Sequence, residues 1–162
     1  MNRREILVFG LTGAATAAIR ALWTPEAGAA EHYEVTHTDE EWRKLLSAGQ
    51  YAVLRQSATE RAFTSALLHE KRKGNFACAG CDLDLFSSDT KFDSGTGWPS
   101  FWKPIDKAVN QSHDVSLGVE RTAVSCHRCG GHLGHVFDDG PRPTGLRYCI
   151  NGLALTFKPA AA

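Results

Sequence analysis

Cys78 and Cys81 are separated by two residues, as are Cys126 and Cys129, and forty-four residues lie between the pairs. Each short loop can aim two thiolates at one point, and two such loops brought together complete the tetrahedral sulfur shell that structural zinc prefers. Gly130 and Gly131, directly after Cys129, leave the backbone room for a tight turn. Four thiolates close the shell, so His127, inside the second pair, is expected to be exposed and not a ligand. Such a site has no open position, and its work is stability. Two disulfides are the alternative that an oxidising compartment permits.

Cys149 is the fifth cysteine and has no partner. An unpaired thiol is a liability unless it has a chemical role. Arg147, two residues earlier, falls on the same face of a strand, where its fixed charge would favour the thiolate. Asn151, two residues later, could offer an amide to the same space. An inert buried cysteine is the other reading of the thiol. His132 and His135 lie just downstream of the second cysteine pair, so a metal scaffold can anchor the segment that presents them. Either could be a general acid near neutral pH. Trp98, in the run Ser94-Gly95-Thr96-Gly97-Trp98-Pro99-Ser100-Phe101-Trp102, offers an aromatic wall suited to a methyl-bearing sulfur substrate, or packing for the core. His32, His37, His69 and His113 have no such context and receive no role.

These groups must be held by a scaffold whose elements change character along the chain. Thr38 can cap a helix with Glu41 reaching back, placing Trp42, Leu45 and Leu46 on one face. Ser57 and Glu60 repeat the pattern ahead of Phe63, Leu67 and Leu68, which predicts a second short helix. The basic run Lys71-Arg72-Lys73-Gly74 reads as a solvated turn. Beyond it, short β-branched and apolar runs alternate with Gly, Pro, Asp and Ser, the texture of strands. Strands are expected over residues 119–124, His132–Phe137, and 147–157 with a break near Gly152. The fold class is therefore mainly β, an antiparallel domain with two small N-terminal helices at one side.

The amino terminus differs in kind. Arg3 and Arg4 precede a mostly apolar stretch over residues 6–19, then Arg20 and the small residues Ala27-Gly28-Ala29-Ala30. This reads as a cleavable export signal over residues 1–30, of twin-arginine type because Gly10, Thr12 and Gly13 dilute the apolar run. Residues 31–162 are then a single domain delivered to the periplasm. A folded cargo could carry zinc loaded in the reducing cytoplasm. Eighteen basic residues balance eighteen acidic ones over 162 residues, so no field draws the chain to nucleic acid or an acidic membrane. No run approaches the roughly 20 apolar residues of a spanning helix, so the mature form is not membrane-embedded.

Residues 78–81, residues 92–101, Gly131-His132-Leu133-Gly134-His135-Val136-Phe137 and Arg147-Tyr148-Cys149-Ile150-Asn151 together resemble the peptide methionine-R-sulfoxide reductases. The likeness runs over residues 38–158. It implies a zinc-bearing antiparallel β-tent with Cys149 as the nucleophile and Cys78, Cys81, Cys126 and Cys129 as ligands of one structural zinc. It also implies that His132, His135, Asn151 and Arg147 organise the sulfoxide and the thiolate, that Trp98 receives the substrate methyl group, and that Asp139 belongs to the site, with Asp138 beside it as a competitor. The implied reaction is attack of Cys149 on the sulfoxide sulfur, leaving methionine and a Cys149 sulfenic acid.

Many members of that family carry a resolving cysteine where this chain has Thr96, and no second free cysteine exists here. A thioredoxin-like protein, a glutaredoxin or a small thiol is therefore expected to reduce the sulfenic acid directly. Two rival functions use the same residues. One is a zinc-scaffolded module that binds methionine side chains without turnover, and the other is a thiol peroxidase or redox sensor.

Overall fold

The computed structural model describes residues 33–116 and 118–161. The expected export signal and His32 lie outside the described residues. Helix α1 (Asp39–Leu45) opens on the expected capping box, with Thr38 and Glu41 each satisfying the other's backbone N–H. Trp42 and Leu46 are buried, but Leu45 is 61% exposed, because the helix ends there and the face expected of three residues is carried by two.

The second helix is not where the Ser57–Glu60 pattern predicts it. Helix α2 (Ala48–Gln56) is capped by Ser47 and Gln50, and Ser57 terminates it in the left-handed conformation at φ 55°. Residues 57–73 hold turns and no helix. The physical reason is the destination of the Glu60 carboxylate, which accepts the backbone N–H groups of Gly152 and Leu153 across 92 and 93 residues. It caps a distant turn and not its own segment.

Nine strands form two antiparallel sheets among the described residues. The smaller sheet orders β2 (Asp84–Ser87), β1 (Gly74–Cys78) and β9 (Leu155–Pro159). The larger runs β3 (Lys91–Phe92), β4 (Ser100–Phe101), β8 (Arg147–Ile150), β7 (His132–Phe137), β6 (Arg121–Cys126) and β5 (Val109–Asp114). Phe76 and Phe86 of the small sheet meet Phe101 and Tyr148 of the large one. Phe86 stacks on Phe101 at 4.4 Å and Phe76 meets it edge-on at 5.0 Å. The three phenylalanine rings, with Leu85, Leu133, Ile150 and Val124, are fully buried, Tyr148 nearly so, and together they hold the sheets by removing apolar surface from water.

Strand β7 lies where the sequence predicts it. Strand β6 starts two residues later than expected and runs on to Cys126, because Val119 is in the exposed connection and Cys126 pairs with Val109. The predicted break near Gly152 is a 3-10 turn at Gly152–Ala154 that lets the chain pass from β8 in one sheet to β9 in the other. A Cβ on Gly152 would stand 1.8 Å from the Ser65 hydroxyl oxygen, so only glycine fits that crossing. Among the described residues no helix is long and apolar enough to cross a membrane.

Candidate metal centre and active site

The first cysteine pair sits at the end of β1 and the second at the end of β6, where the two sheets come together. Their sulfurs all lie within 4.8 Å of one another. Cys78 to Cys129 measures 3.7 Å and Cys81 to Cys126 3.5 Å. A tetrahedron with zinc–sulfur bonds of about 2.3 Å has edges of about 3.8 Å, so this donor set fits one zinc ion. The same spacing is far beyond the roughly 2.0 Å of a disulfide, and all five cysteines are free. Gly130 turns the second knuckle at φ 69°, where a side chain would strike Tyr33. Its N–H donates to the Cys126 carbonyl at 2.9 Å. Arg55 and Arg128 donate to the carbonyls of Cys129 and Cys81, tying α2 and the two knuckles together. His127 is exposed and engages Asn110, as expected of a bystander.

From the second knuckle the chain enters β7 directly, and β7 lies beside β8. His135 is thereby registered opposite Cys149, while Ser100 of β4 flanks the same cysteine on its other side. Cys149 is half-buried and opens into a cavity of about 150 Å³ lined by Thr59, Trp98, Arg121, His135, Phe137 and Asn151. The structure thus brings Trp98, His135, Cys149 and Asn151 together around one space. His132, Arg147 and Asp139 are not among the residues that line it.

The two histidines differ. His135 Nε2 lies 2.7 Å from the Asp114 carboxylate, which can only accept, so Nε2 carries a proton and faces Asp114. Asp114 is held well below the usual carboxylate range, first by the Ser116 N–H and then by His135, and it also pairs with Arg121 at 2.6 Å. His132 packs edge-on against His135 at 5.4 Å, and its Nε2 is buried without a hydrogen-bond partner among the described residues. Burial, and then the neighbouring His135, push its pKa down to about 4. His132 is neutral at physiological pH.

Arg147 spends its guanidinium on Asp139 in a two-pronged contact of 2.8 and 2.8 Å and lies over the Phe137 ring at 4.4 Å. Asp139, not Asp138, is therefore the carboxylate that holds Arg147. The expectation that Arg147 would favour a Cys149 thiolate holds in direction but not in outcome. Burial raises the Cys149 pKa more than the Thr96 hydroxyl and then Arg147 lower it, and Asp139 adds to the rise. The net effect of the surroundings is to favour the thiol over the thiolate.

Asn151 is 97% buried (3% exposed), and its amide braces backbone: Oδ1 accepts the Glu60 N–H at 3.0 Å and Nδ2 donates to the Leu133 carbonyl at 3.0 Å. The Trp98 indole donates to the Glu60 carbonyl at 3.1 Å. Glu60 therefore holds two walls of the cavity, and neither it nor Asp114 and Arg121 stands out in the sequence. Glu60 resembles a helix cap there, and Asp114 lies in a polar strand two strands away from the histidine it serves. Of the histidines without an assigned role, His113 pairs with exposed Glu120, and His37 packs edge-on against Trp42.

A closed four-sulfur cluster joining two antiparallel sheets, with the one remaining thiol facing an aromatic-walled cavity, defines a metal-scaffolded thiol protein. The SelR domain family model matches residues 46–159. The chain is 57% identical over 128 residues to a peptide methionine sulfoxide reductase MsrB of Leptospira interrogans, covering 78% of this chain and 98% of that protein. It is 56% identical over 127 residues to the enzyme of that name from Bradyrhizobium diazoefficiens, covering 78% and 91%, and 55% over 125 residues to that from Methanosarcina barkeri, covering 76% and 88%. The chain belongs to the SelR domain family of these MsrB proteins.

Proposed function

We propose that this protein reduces methionine-R-sulfoxide in peptides and proteins to methionine, repairing oxidised proteins, with Cys149 as nucleophile. The observation that carries the reading is the cavity itself: one thiol, one acid-capable imidazole and one indole converge on a space of about 150 Å³. The four-cysteine cluster supplies structure when zinc is bound, by fixing the origin of β7 and so the place of His135.

The reaction balances as an oxygen transfer. Cys149 sulfur attacks the electrophilic sulfoxide sulfur and forms a sulfur–sulfur bond as the S–O bond breaks and the protonated oxygen leaves as water. Water then attacks Cys149 sulfur, the sulfur–sulfur bond breaks and the thioether departs, so that in sum Cys149–SH plus sulfoxide becomes Cys149–SOH plus thioether. His135 is the better acid of the pair, because it lines the cavity and has Asp114 behind it, whereas neutral His132 stacks against it. Trp98 offers its face to the substrate methyl group. Arg147, aligned by Asp139, supplies positive charge near the reacting sulfur. Two external thiol groups, from one dithiol or two monothiols, then act in turn: the first condenses with Cys149–SOH to a mixed disulfide and water, and the second displaces Cys149 as the thiol and leaves as a disulfide with the first. A thioredoxin-like protein, a glutaredoxin or a small thiol fits that role, because Thr96 stands where a resolving cysteine would.

The paired Arg3 and Arg4, the weak apolar run and the small residues at 27–30 support a further proposal, export by the twin-arginine route to the periplasm with removal of residues 1–30. Replacing both arginines with lysine should strand an uncleaved precursor in the cytoplasm, and continued processing would point to the general secretory route. The assay that tests the activity uses peptides carrying each sulfoxide epimer with several thiol donors. Turnover of the R epimer alone is expected, and equal turnover of both, or of neither, overturns the proposal.

A further inference from the structure

Three hydroxyls stand in a row behind the Cys149 sulfur. Thr96 Oγ1 is 3.8 Å from Cys149 Sγ, Ser94 Oγ is 2.8 Å from Thr96 Oγ1, and Ser100 Oγ is 2.7 Å from Ser94 Oγ. Ser100 is fully buried and ends the row on the Trp98 carbonyl at 3.2 Å. The carbonyl can only accept, and this fixes the direction of every other bond. Ser100 donates to Trp98, so Ser94 must donate to Ser100, Thr96 to Ser94, and the Cys149 S–H to Thr96. The Thr96 N–H also points at Ser94 Oγ, at 3.4 Å, reinforcing Ser94 as an acceptor. Four contacts are then satisfied by four protons.

Ionisation breaks that account. Once the Cys149 proton has left through the cavity to water, three protons remain for four contacts. Either Thr96 continues to point away from the negative sulfur, or all three hydroxyls rotate to donate towards it and the Trp98 carbonyl loses its donor. Ser100 has no base beyond it, so the row cannot carry the proton away. It can only reorient.

We propose that Ser94 and Ser100 are positioning residues that hold the Thr96 hydroxyl turned away from Cys149, so that the row acts as a brake on thiolate formation in the resting enzyme. The brake suits a lone thiol that has no resolving partner, because a protonated sulfur is the form less open to stray oxidation. The proposal rests on the reading of Cys149 as the nucleophile, but its test reads the sulfur directly.

The other groups bearing on this sulfur are Arg147 on its own strand, which favours the thiolate, and Asp139, which opposes it. His135 and Arg121 face the same cavity. Strand β4 brings only Ser100 and Phe101, and Asp93 ahead of the row accepts the Gly95 N–H. None of these is altered by replacing Ser94 or Ser100.

The test is the pH profile of alkylation of Cys149 in zinc-loaded protein, read by mass spectrometry at that residue. Ser94→Ala and Ser100→Ala should each lower the apparent pKa, giving about threefold to tenfold more thiolate at a fixed pH, because ionisation no longer forfeits a neutral hydrogen bond. Thr96→Val should move it the opposite way by about tenfold, since the hydroxyl that the row can rotate to donate to the anion is gone and only Arg147 remains. Thr96→Ser should restore the wild-type profile. In the Thr96→Val background Ser94→Ala should add nothing. Alanine variants whose profiles are unchanged or shifted upwards overturn the brake, as does an additive effect in the double variant. Should Thr96→Val fail to retain zinc, the two alanine variants decide alone. Turnover by Cys149→Ser would overturn the nucleophile and leave the alkylation result standing as a separate measurement.

Discussion

Glu60 and Asn151, ninety-one residues apart, are bound to one another backbone to side chain: the Glu60 N–H donates to Asn151 Oδ1 at 3.0 Å. The Glu60 carboxylate also accepts from Gly152 and Leu153, and the Glu60 carbonyl accepts from the Trp98 indole. One residue of the 57–73 segment thereby fixes the wall of the cavity, the end of β8 and the turn into β9. Removing its carboxylate should leave two backbone donors without a partner in a buried place. Glu60→Ala is expected to cost about 2–4 kcal/mol of stability and to raise KM, because the residue-60 backbone that binds Asn151 and Trp98 is no longer tied by a carboxylate to Gly152 and Leu153. Denaturant unfolding and steady-state kinetics check both. A variant as stable as the parent would remove Glu60 from the framework.

Cys149→Ser should abolish reduction while keeping fold and zinc, since the hydroxyl nearly preserves volume but is no nucleophile at neutral pH. Zinc content, far-ultraviolet circular dichroism and turnover are measured on one preparation. Residual turnover above about one hundredth of wild type would exclude Cys149 from the chemistry.

Cys126→Ser should lose the metal and destabilise the whole domain. The cluster joins the end of β1 to the end of β6, and the metal's binding free energy is in large part folding free energy. The check is metal content alongside thermal unfolding. A metal-free variant with an unchanged melting curve would show that the sheets do not need the cluster.

His132 gives a pH dependence with a definite sign. Its folded pKa is near 4, against an ordinary value of about 6.5, so the unfolded chain binds the proton first. Stability contributed by the neutral ring is complete above about pH 6.5 and is lost as pH falls towards 4, by up to about 3 kcal/mol. Replacing it with leucine should flatten that window. Melting temperatures of wild type and His132→Leu from pH 7 to 5 are compared, and parallel curves would refute the assignment.

The chemistry of the site was more legible in the sequence than its support. Two cysteine pairs at short spacing announce a metal cluster wherever the fold takes them, because the constraint is local to each knuckle. Arg147 and Cys149 share β8 and Asn151 follows directly after it, so their proximity also follows from local geometry. Glu60, Asp114 and Arg121 act across strands or across ninety residues, and nothing in their own neighbourhoods records the partner. Glu60 was misread for the same reason: a Ser-x-x-Glu pattern carries no information on whether the carboxylate turns back to its own segment or reaches Gly152. The competing box at Ser47 and Gln50 took the helix instead. The net state of Cys149 was likewise hidden, since Arg147 is visible in the sequence and the burial that outweighs it is not.

The last prediction concerns Thr96. Its hydroxyl oxygen lies 3.8 Å from the Cys149 sulfur, and the residue stands between Gly95 and Gly97, both at positive φ, so the loop has backbone freedom on each side. In the wild-type protein no free thiol other than Cys149 lies outside the four-cysteine cluster. A single addition of R-sulfoxide without reductant should therefore yield about one equivalent of methionine per enzyme and leave Cys149 as a sulfenic acid that a trapping reagent labels. Thr96→Cys places a thiol beside that sulfenic acid, at a separation a small loop movement can close to the roughly 2 Å of a disulfide. The sulfenic acid should then condense with it, and trapping should fall as an internal disulfide appears. Mass spectrometry of both oxidised proteins, with zinc measured in parallel, decides the matter. A disulfide between Cys149 and any of Cys78, Cys81, Cys126 or Cys129 in the wild type, with zinc released, would sink the single-thiol mechanism.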